Sequence, residues 1–130
     1  MNNTCRKGLH EFTPENTIQK KNGQRTCRKC NQIKSSQQTS RLKRIVLSFY
    51  GPNKEARRSW PKCEVSDIDM LCLDHINDDG ALERKSGIAS KGKAFYRRLR
   101  REKFPPGYQT LCYNHNQKKR IQHIARCLAS

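Results

Sequence analysis

Apolar residues are sparse along this chain and occur in short groups separated by long polar stretches. In the first half, only one group has the three- to four-residue spacing of a helix face; its members are Leu42, Ile45, Val46 and Phe49. Thr39 or Ser40 can cap this helix at its N-terminus, and Gly51-Pro52 ends it. The pattern predicts a short basic linking helix, preceded by a segment with little apolar content.

The second half of the chain predicts a strand, a basic helix, a second strand and a last helix. Ile68–Leu73 and Gln109–Cys112 are short apolar runs typical of strands, and a turn signal lies at residues 77–80. Lys93–Lys103 has the pattern of a basic helix. The last helix is predicted over residues 114–128, and three of its side chains are expected to face inward: Ile121, Ile124 and Leu128. We therefore expect a small α+β protein.

Composition restricts the class of protein further. Of 130 residues, 33% are hydrophobic, and 28 Lys and Arg face 11 Asp and Glu. So polar a chain cannot build a large core, and no apolar run approaches the ~20 residues of a membrane span. The net charge of +17 indicates a polyanionic partner, most simply nucleic acid. We divide the chain into residues 1–34, a linker at 35–59, and residues 60–130.

A group of cysteine and histidine residues near the N-terminus has the spacing of a zinc site. Cys5-x4-His10 is followed, after 16 intervening residues, by Cys27-x2-Cys30. The cysteine count is odd and no signal peptide opens the chain, which favours metal binding over disulfides. Lys20–Gln24 can form a hairpin between the two halves. We predict a structural Zn²⁺ in an N-terminal zinc finger; the alternative is four unliganded residues in a disordered arm.

Carboxylates are concentrated in one part of this basic chain. Seven of the eleven fall within 20 residues, and these are Glu64, Asp67, Asp69, Asp74, Asp78, Asp79 and Glu83. Nine Lys or Arg residues follow directly, between residues 84 and 103. The pattern predicts either a cation site close to a phosphate-binding surface or a solvated loop beside a solvated helix.

Two short motifs in the last segment resemble a known nuclease family. Leu73-Asp74-His75-Ile76 follows a predicted strand, and Leu111-Cys112-x2-His115-Asn116 enters a predicted helix. Together they resemble the HNH (His-Me finger) nucleases, most closely the small phage and prophage endonucleases related to recombination endonuclease VII. The N-terminal Cys/His group is similar to the zinc-finger extension of such proteins. The resemblance covers about residues 1–34 and 60–120.

The resemblance implies a ββα-metal fold in residues 60–130 and a metal-dependent cleavage of DNA. His75 corresponds to the general base, and Asp74 and Asn116 to the ligands of one catalytic Mg²⁺ or Mn²⁺. An imidazole titrates near neutrality, and carboxylate and amide oxygens suit these hard ions. The alternative is an ordinary strand-end Asp-His pair. A phage or prophage protein would act in the bacterial cytoplasm, away from membranes, with a homodimer as one possible assembly.

Basic residues beside this site are expected to bind the DNA backbone, which gives affinity but little sequence choice. They lie between the two predicted strands and at the start of the last helix. The expected contacts are Lys91, Lys93, Arg97, Arg98, Arg100, Arg101, Lys118, Lys119 and Arg120.

This chain departs from the family pattern in two places. Gly107 stands where many relatives have an asparagine that braces the base, so His75 must be braced from elsewhere, for example by a backbone carbonyl. Relatives also often carry a second structural Zn²⁺, for which Cys63, Cys112 and His115 are available here. The expected fourth position holds Arg58 or Ser59. That zinc is therefore three-coordinate, borrows Cys72, or is absent.

The sequence therefore leads to one favoured function and two alternatives. The favoured function is an HNH endonuclease that nicks or cuts double-stranded DNA. The alternatives are a zinc-dependent DNA-binding protein without catalysis, used in regulation or packaging, and an RNA-binding zinc protein.

Overall fold

A computed structural model describes residues 3–55, 60–87 and 92–130. The elements are β1 (Thr17–Gln19), β2 (Arg25–Cys27), α1 (Arg28–Tyr50), β3 (Leu71–His75), α2 (Gly80–Lys85), α3 (Gly92–Arg101), β4 (Tyr108–Cys112) and α4 (Tyr113–Ala129). In the described residues, β1 pairs with β2 and β3 with β4, giving two small antiparallel sheets. The expected α+β class is confirmed. Chain contacts define two units, Met1–Ser40 and Arg41–Ser130, so the division falls inside the predicted linker.

The first unit is built on a hairpin directly before α1. The predicted turn at Lys20–Gln24 is confirmed, since Lys20 O accepts a hydrogen bond from Gly23 N–H at 3.0 Å. Gly23 has a φ of +80°, a conformation that only glycine adopts without steric cost. In the register of this hairpin, Thr17 pairs with Cys27, so the second strand ends on a predicted zinc ligand.

Helix α1 is longer than its apolar pattern predicts. It begins at Arg28 and runs to Tyr50, because no Gly or Pro interrupts this stretch and its polar first half is exposed to water. The buried face also differs from the expected one. Val46 and Leu47 are buried, whereas Ile45 is 40% exposed.

The core of the second unit lies between the end of α1 and the second sheet. Leu47, Cys63, Leu71 and Cys112 form its buried cluster. Thr110, buried in β4, donates a hydrogen bond from Oγ1 to Leu47 O at 2.8 Å. This bond satisfies a buried hydroxyl and ties the helix to the strand.

The inward orientation predicted for the apolar residues of α4 is wrong. Ile121, Ile124 and Leu128 are 58%, 46% and 82% exposed. Instead, the face of α4 that contacts β3 carries the polar residues Asn116 and Lys119, which bind side chains of that strand. Within the described residues, no helix is long and apolar enough to cross a membrane.

Candidate metal centres and active site

The four N-terminal Cys and His residues come together in the first unit. The separations are 3.8 Å from Cys5 Sγ to His10 Nδ1, 3.3 Å from His10 Nδ1 to Cys30 Sγ, and 3.7 Å between Cys5 Sγ and Cys30 Sγ. Cys27 Sγ completes a group whose ligand atoms all lie within 4.8 Å of one another. Tetrahedral Zn²⁺ places sulfur and nitrogen ligands about 3.5–3.8 Å apart, so this group could hold a zinc ion.

The protonation of these thiols also favours a cation. Burial raises the pKa of Cys5, but backbone hydrogen bonds, first that of His10, outweigh it and lower the pKa to about 6. At Cys30, burial and the neighbouring Cys27 and Cys5 sulfurs raise the pKa to about 11. A positive charge among the three thiols would favour the ionised form of Cys30.

Asn16 organises this group, a role that the sequence did not reveal. Its side chain is buried, and Nδ2 donates to Glu11 O at 2.6 Å and to Cys27 Sγ at 3.3 Å. Its Oδ1 accepts from Lys29 N–H at 3.0 Å, and its carbonyl oxygen accepts from Arg28 N–H at 2.8 Å. One amide thus connects the loop, a zinc-ligand candidate and the start of α1.

Replacing Asn16 by alanine is expected to weaken zinc binding about 10–100-fold, because ligand-orienting partners contribute that much to metal affinity. Competition with a chromophoric chelator measures the change. Asn31→Ala, on the exposed side of α1, is the matched control and should bind zinc like the wild type. Equal affinity of the two variants would show that Asn16 does not support the site.

A second group of possible zinc ligands lies in the core of the second unit. Cys63 Sγ is 3.6 Å from Cys112 Sγ, which is 3.0 Å from His115 Nδ1, and Trp60 stacks on the His115 ring. Cys72 is not a member of this group among the described residues. Arg58 and Ser59, at the expected fourth position, lie outside the described residues. The described part of the chain therefore supplies three ligands.

His75, the predicted general base, is the last residue of β3. Its Nε2 lies 2.5 Å from Glu83 Oε2, and its ring centroid is 5.0 Å from that of Tyr108. Gly80 borders the opposite edge of the ring, where a β-carbon would come within 2.9 Å of Nδ1. The ring is therefore held by a carboxylate at one nitrogen, and a side chain at residue 80 would collide with the edge that carries the other nitrogen.

Glu83 itself is held by two donors from neighbouring elements. Its Oε1 accepts hydrogen bonds from Arg98 Nη2, on α3, and from the Tyr108 hydroxyl, on β4, at 3.1 Å for the latter. Burial raises the pKa of Glu83, but the hydrogen bonds from His75, Arg98 and Tyr108 outweigh it and the net pKa is lowered. Glu83 is thus an ionised, oriented carboxylate.

On the other side of the end of β3, two carboxylates share one ammonium group. Lys119 Nζ lies 2.7 Å from Asp74 Oδ2 and 2.9 Å from Asp78 Oδ1. Gln109 Nε2 also donates to Asp74 Oδ2, at 2.9 Å, and His123 Nδ1 lies 3.3 Å from Asp78 Oδ2. Burial lowers the pKa of Lys119, but the bonds to both carboxylates outweigh it and raise the pKa. Asp74 and Asp78 are therefore paired carboxylates, whereas Glu64, Asp67, Asp69 and Asp79 of the same acidic cluster are exposed.

Asn116, the second predicted catalytic ligand, lies on the same side of α4 as Lys119, one turn earlier. Its Nδ2 donates to Cys72 Sγ at 3.3 Å, and Cys72 precedes Asp74 by two residues on β3. Successive side chains of a strand alternate in direction, so Cys72 and Asp74 share one face of the sheet. That face is the one covered by α4.

Sequence reasoning recognised the acidic cluster that contains Asp78 and Glu83 but assigned neither residue a role of its own. Their position in that cluster was the available signal. It did not show which cation or imidazole each of them would meet. No comparable signal marked Asn16.

The predicted nucleic-acid contacts differ in their exposure to solvent. Two of them are held inside the second unit: Arg98 is only 7% exposed and binds Glu83, and Lys119 binds Asp74 and Asp78. The prediction that Arg98 and Lys119 lie on the DNA-binding surface is corrected, because both side chains pair with carboxylates inside this unit. Lys93 is half-buried, and Lys91 lies outside the described residues. The exposed candidates are Arg97, Arg100, Arg101, Lys118 and Arg120.

Comparisons with known proteins identify no relative of this chain. No model of a known protein family matches the chain, and no curated protein or solved structure matches it either. A functional assignment for this chain therefore depends on its own residues and on their geometry.

Proposed function

We propose that this protein is a metal-dependent endonuclease of the HNH type that hydrolyses phosphodiester bonds in double-stranded DNA, with His75 as general base. One observation carries the proposal. The end of β3 presents an imidazole held by a carboxylate and, from the preceding residue, a second carboxylate that shares a cation with Asp78. A general base beside a cation site is a combination that can catalyse phosphodiester hydrolysis.

The order of elements supports the proposal. Strands β3 and β4 and helix α4 follow one another as in a ββα-metal unit, with His75 ending the first strand and Asn116 in the first turn of the helix. The long excursion between the strands carries the exposed arginines of α3. A DNA backbone that lies across the end of the sheet would meet the base, the carboxylates and these arginines together.

The residues present fit a divalent cation. The Lys119 ammonium demonstrates that Asp74 and Asp78 can approach a single cation at 2.7 and 2.9 Å. Oxygen ligands of this type suit Mg²⁺ or Mn²⁺. Asp74, Asp78 and the amide oxygen of Asn116 would hold the ion, and Lys119 would have to withdraw. The bound ion would offset negative charge on the phosphate during hydrolysis.

The chain's own residues would perform the proton transfer and the binding steps. Nδ1 of His75 accepts a proton from a water molecule as the water oxygen bonds to phosphorus and the bond to the leaving sugar oxygen breaks. A cavity of about 280 Å³ beside His75, lined also by Gly107 and Tyr108, has room for several water molecules. Arg97, Arg100 and other exposed basic residues would bind neighbouring phosphates.

A zinc-dependent DNA-binding protein without catalysis is the second candidate. The observation that favours it is the position of Lys119, whose ammonium already forms ion pairs with both Asp74 and Asp78. Carboxylates that the protein satisfies with its own cation need no metal ion. This candidate predicts DNA binding without cleavage.

Incubation of supercoiled plasmid with the zinc-loaded protein, with and without Mg²⁺ or Mn²⁺, separates the two candidates. The nuclease should produce nicked or linear DNA only with the added ion. Asp74→Asn should reduce cleavage about 10²-fold or more, because it removes a charged metal ligand. Asp69→Asn, an exposed carboxylate of the same acidic cluster, should cut like the wild type. Intact plasmid with every metal, together with a retained gel shift, would establish the second candidate.

A further inference from the structure

The partner of His75 is a side chain rather than the backbone carbonyl considered from sequence. Glu83 is the fourth residue of α2, a helix that begins five residues after His75. The helix returns the Glu83 carboxylate to the strand end, where Oε2 lies 2.5 Å from His75 Nε2. A carboxylate oxygen that is ionised can only accept a hydrogen bond. Nε2 must therefore carry the proton.

The orientation of Glu83 is determined by its other oxygen. Oε1 accepts from Arg98 and from the Tyr108 hydroxyl, and the Arg98 side chain is only 8% exposed. Both donors come from elements that frame the site, so Glu83 has little freedom to rotate away. Its two oxygens thus have different tasks: one anchors the carboxylate, and the other faces the imidazole.

The tautomer of His75 determines which nitrogen can act as a base. A neutral imidazole with its proton on Nε2 has its lone pair on Nδ1. That edge lies against Gly80, where a β-carbon would come 2.9 Å from Nδ1 and 3.0 Å from Cε1. Because residue 80 is glycine, no side chain at that position blocks Nδ1.

We propose that Glu83 is the positioning residue of the proposed nuclease site, because Oε2 accepts the Nε2 proton of His75 and so directs the Nδ1 lone pair at the attacking water. This inference rests on the proposed nuclease function for its kinetic consequence. The tautomer itself can be measured independently of cleavage.

A glutamine at position 83 distinguishes this role from simple packing. Arg98 and Tyr108 require an acceptor, so the amide oxygen of Glu83→Gln would remain with them and the NH₂ group would face His75. An amide that donates to Nε2 forces the proton onto Nδ1 and removes the base. In a serine protease, replacing the aspartate that contacts the catalytic histidine by asparagine imposes the wrong tautomer and lowers kcat about 10⁴-fold. We expect a loss of about 10²–10⁴-fold in kcat, with little change in KM for DNA.

Glu83→Ala should be less damaging than Glu83→Gln, because an unpartnered ring samples both tautomers and retains some base. If Glu83 had only a structural role, the ranking would be reversed, because the isosteric glutamine would be the milder change. Glu102→Gln is the matched control, since Glu102 faces Arg98 at 3.9 Å without touching His75. It should leave kcat unchanged. Thermal melting verifies that every variant is folded.

Long-range proton–nitrogen correlation spectra of the imidazole, recorded where the ring is neutral, test the tautomer directly. His75 should carry its proton on Nε2 in the wild type and on Nδ1 in Glu83→Gln. An Nδ1 proton in the wild type, or a Glu83→Gln variant that cuts as fast as Glu83→Ala, would overturn the inference while the nuclease function stands. A wild type that never cuts DNA overturns the proposed function, and the role of Glu83 with it.

Discussion

Replacing His75 by alanine is expected to reduce metal-dependent plasmid cleavage by about 10²–10⁴-fold, the usual contribution of a general base. The fold should survive, because Glu83 keeps its hydrogen bonds to Arg98 and Tyr108 when the imidazole is removed. Quantitative gel analysis of single-turnover cleavage measures the loss. DNA affinity, measured by gel shift, should change little, since the exposed arginines remain.

Two further measurements make this result specific to the base. Added imidazole should restore part of the activity of His75→Ala, because it can enter the space left by the side chain and accept the proton. Gln122→Ala, on the exposed side of α4, is the control and should cut like the wild type. Undiminished cleavage by His75→Ala would show that His75 is not the general base and would contradict the proposed nuclease mechanism.

Replacing Cys27 by serine is expected to unfold the first unit and to release one zinc ion per chain. The buried side chains of described residues 3–40 are only Cys5, Asn16 and Cys27, so no apolar core holds this unit together. Structural Zn²⁺ supplies an apparent binding free energy of about 10–16 kcal/mol in comparable small domains. Loss of one thiolate therefore removes most of the stabilisation of the hairpin and its loop.

Zinc content by native mass spectrometry and amide hydrogen exchange measure this outcome. The amides of β1 and β2 should lose protection, whereas those of β3 and β4 should keep it. Cys127→Ser is the matched control, because Cys127 is exposed and belongs to neither group of possible zinc ligands. Protected amides in β1 and β2 of zinc-free Cys27→Ser would contradict a structural role for the metal.

Local features of the fold were predictable because short-range chemistry determines them. The Lys20–Gln24 turn follows from Asn22-Gly23, and the Cys27-x2-Cys30 spacing brings two thiolates together at the start of a helix. The strand before His75 was also predicted, although it begins three residues later than the apolar run suggests. None of these features requires knowledge of a distant partner.

Helix faces were predicted less well. The apolar stripe of α4 faces solvent, and α1 buries Leu47 where Ile45 was expected. A hydrophobic pattern shows that a helix has two faces, but the neighbouring elements decide which face is covered. On α4 the carboxylates of β3 and of the following turn attract Lys119, so the polar face turns inward.

The sequence by itself determined the set of chemical groups: a Cys/His group with zinc spacing, a strand ending in Asp74-His75, and a strong positive charge. Only the tertiary structure decided how these groups are paired. Glu83 meets His75 and Arg98, and Lys119 meets Asp74 and Asp78, although the partners are up to 45 residues apart. A buried charge without a partner costs several kcal/mol. Two of the predicted DNA contacts, Arg98 and Lys119, therefore point inward in the folded protein. The spacing of residues along the chain does not show which partners they have.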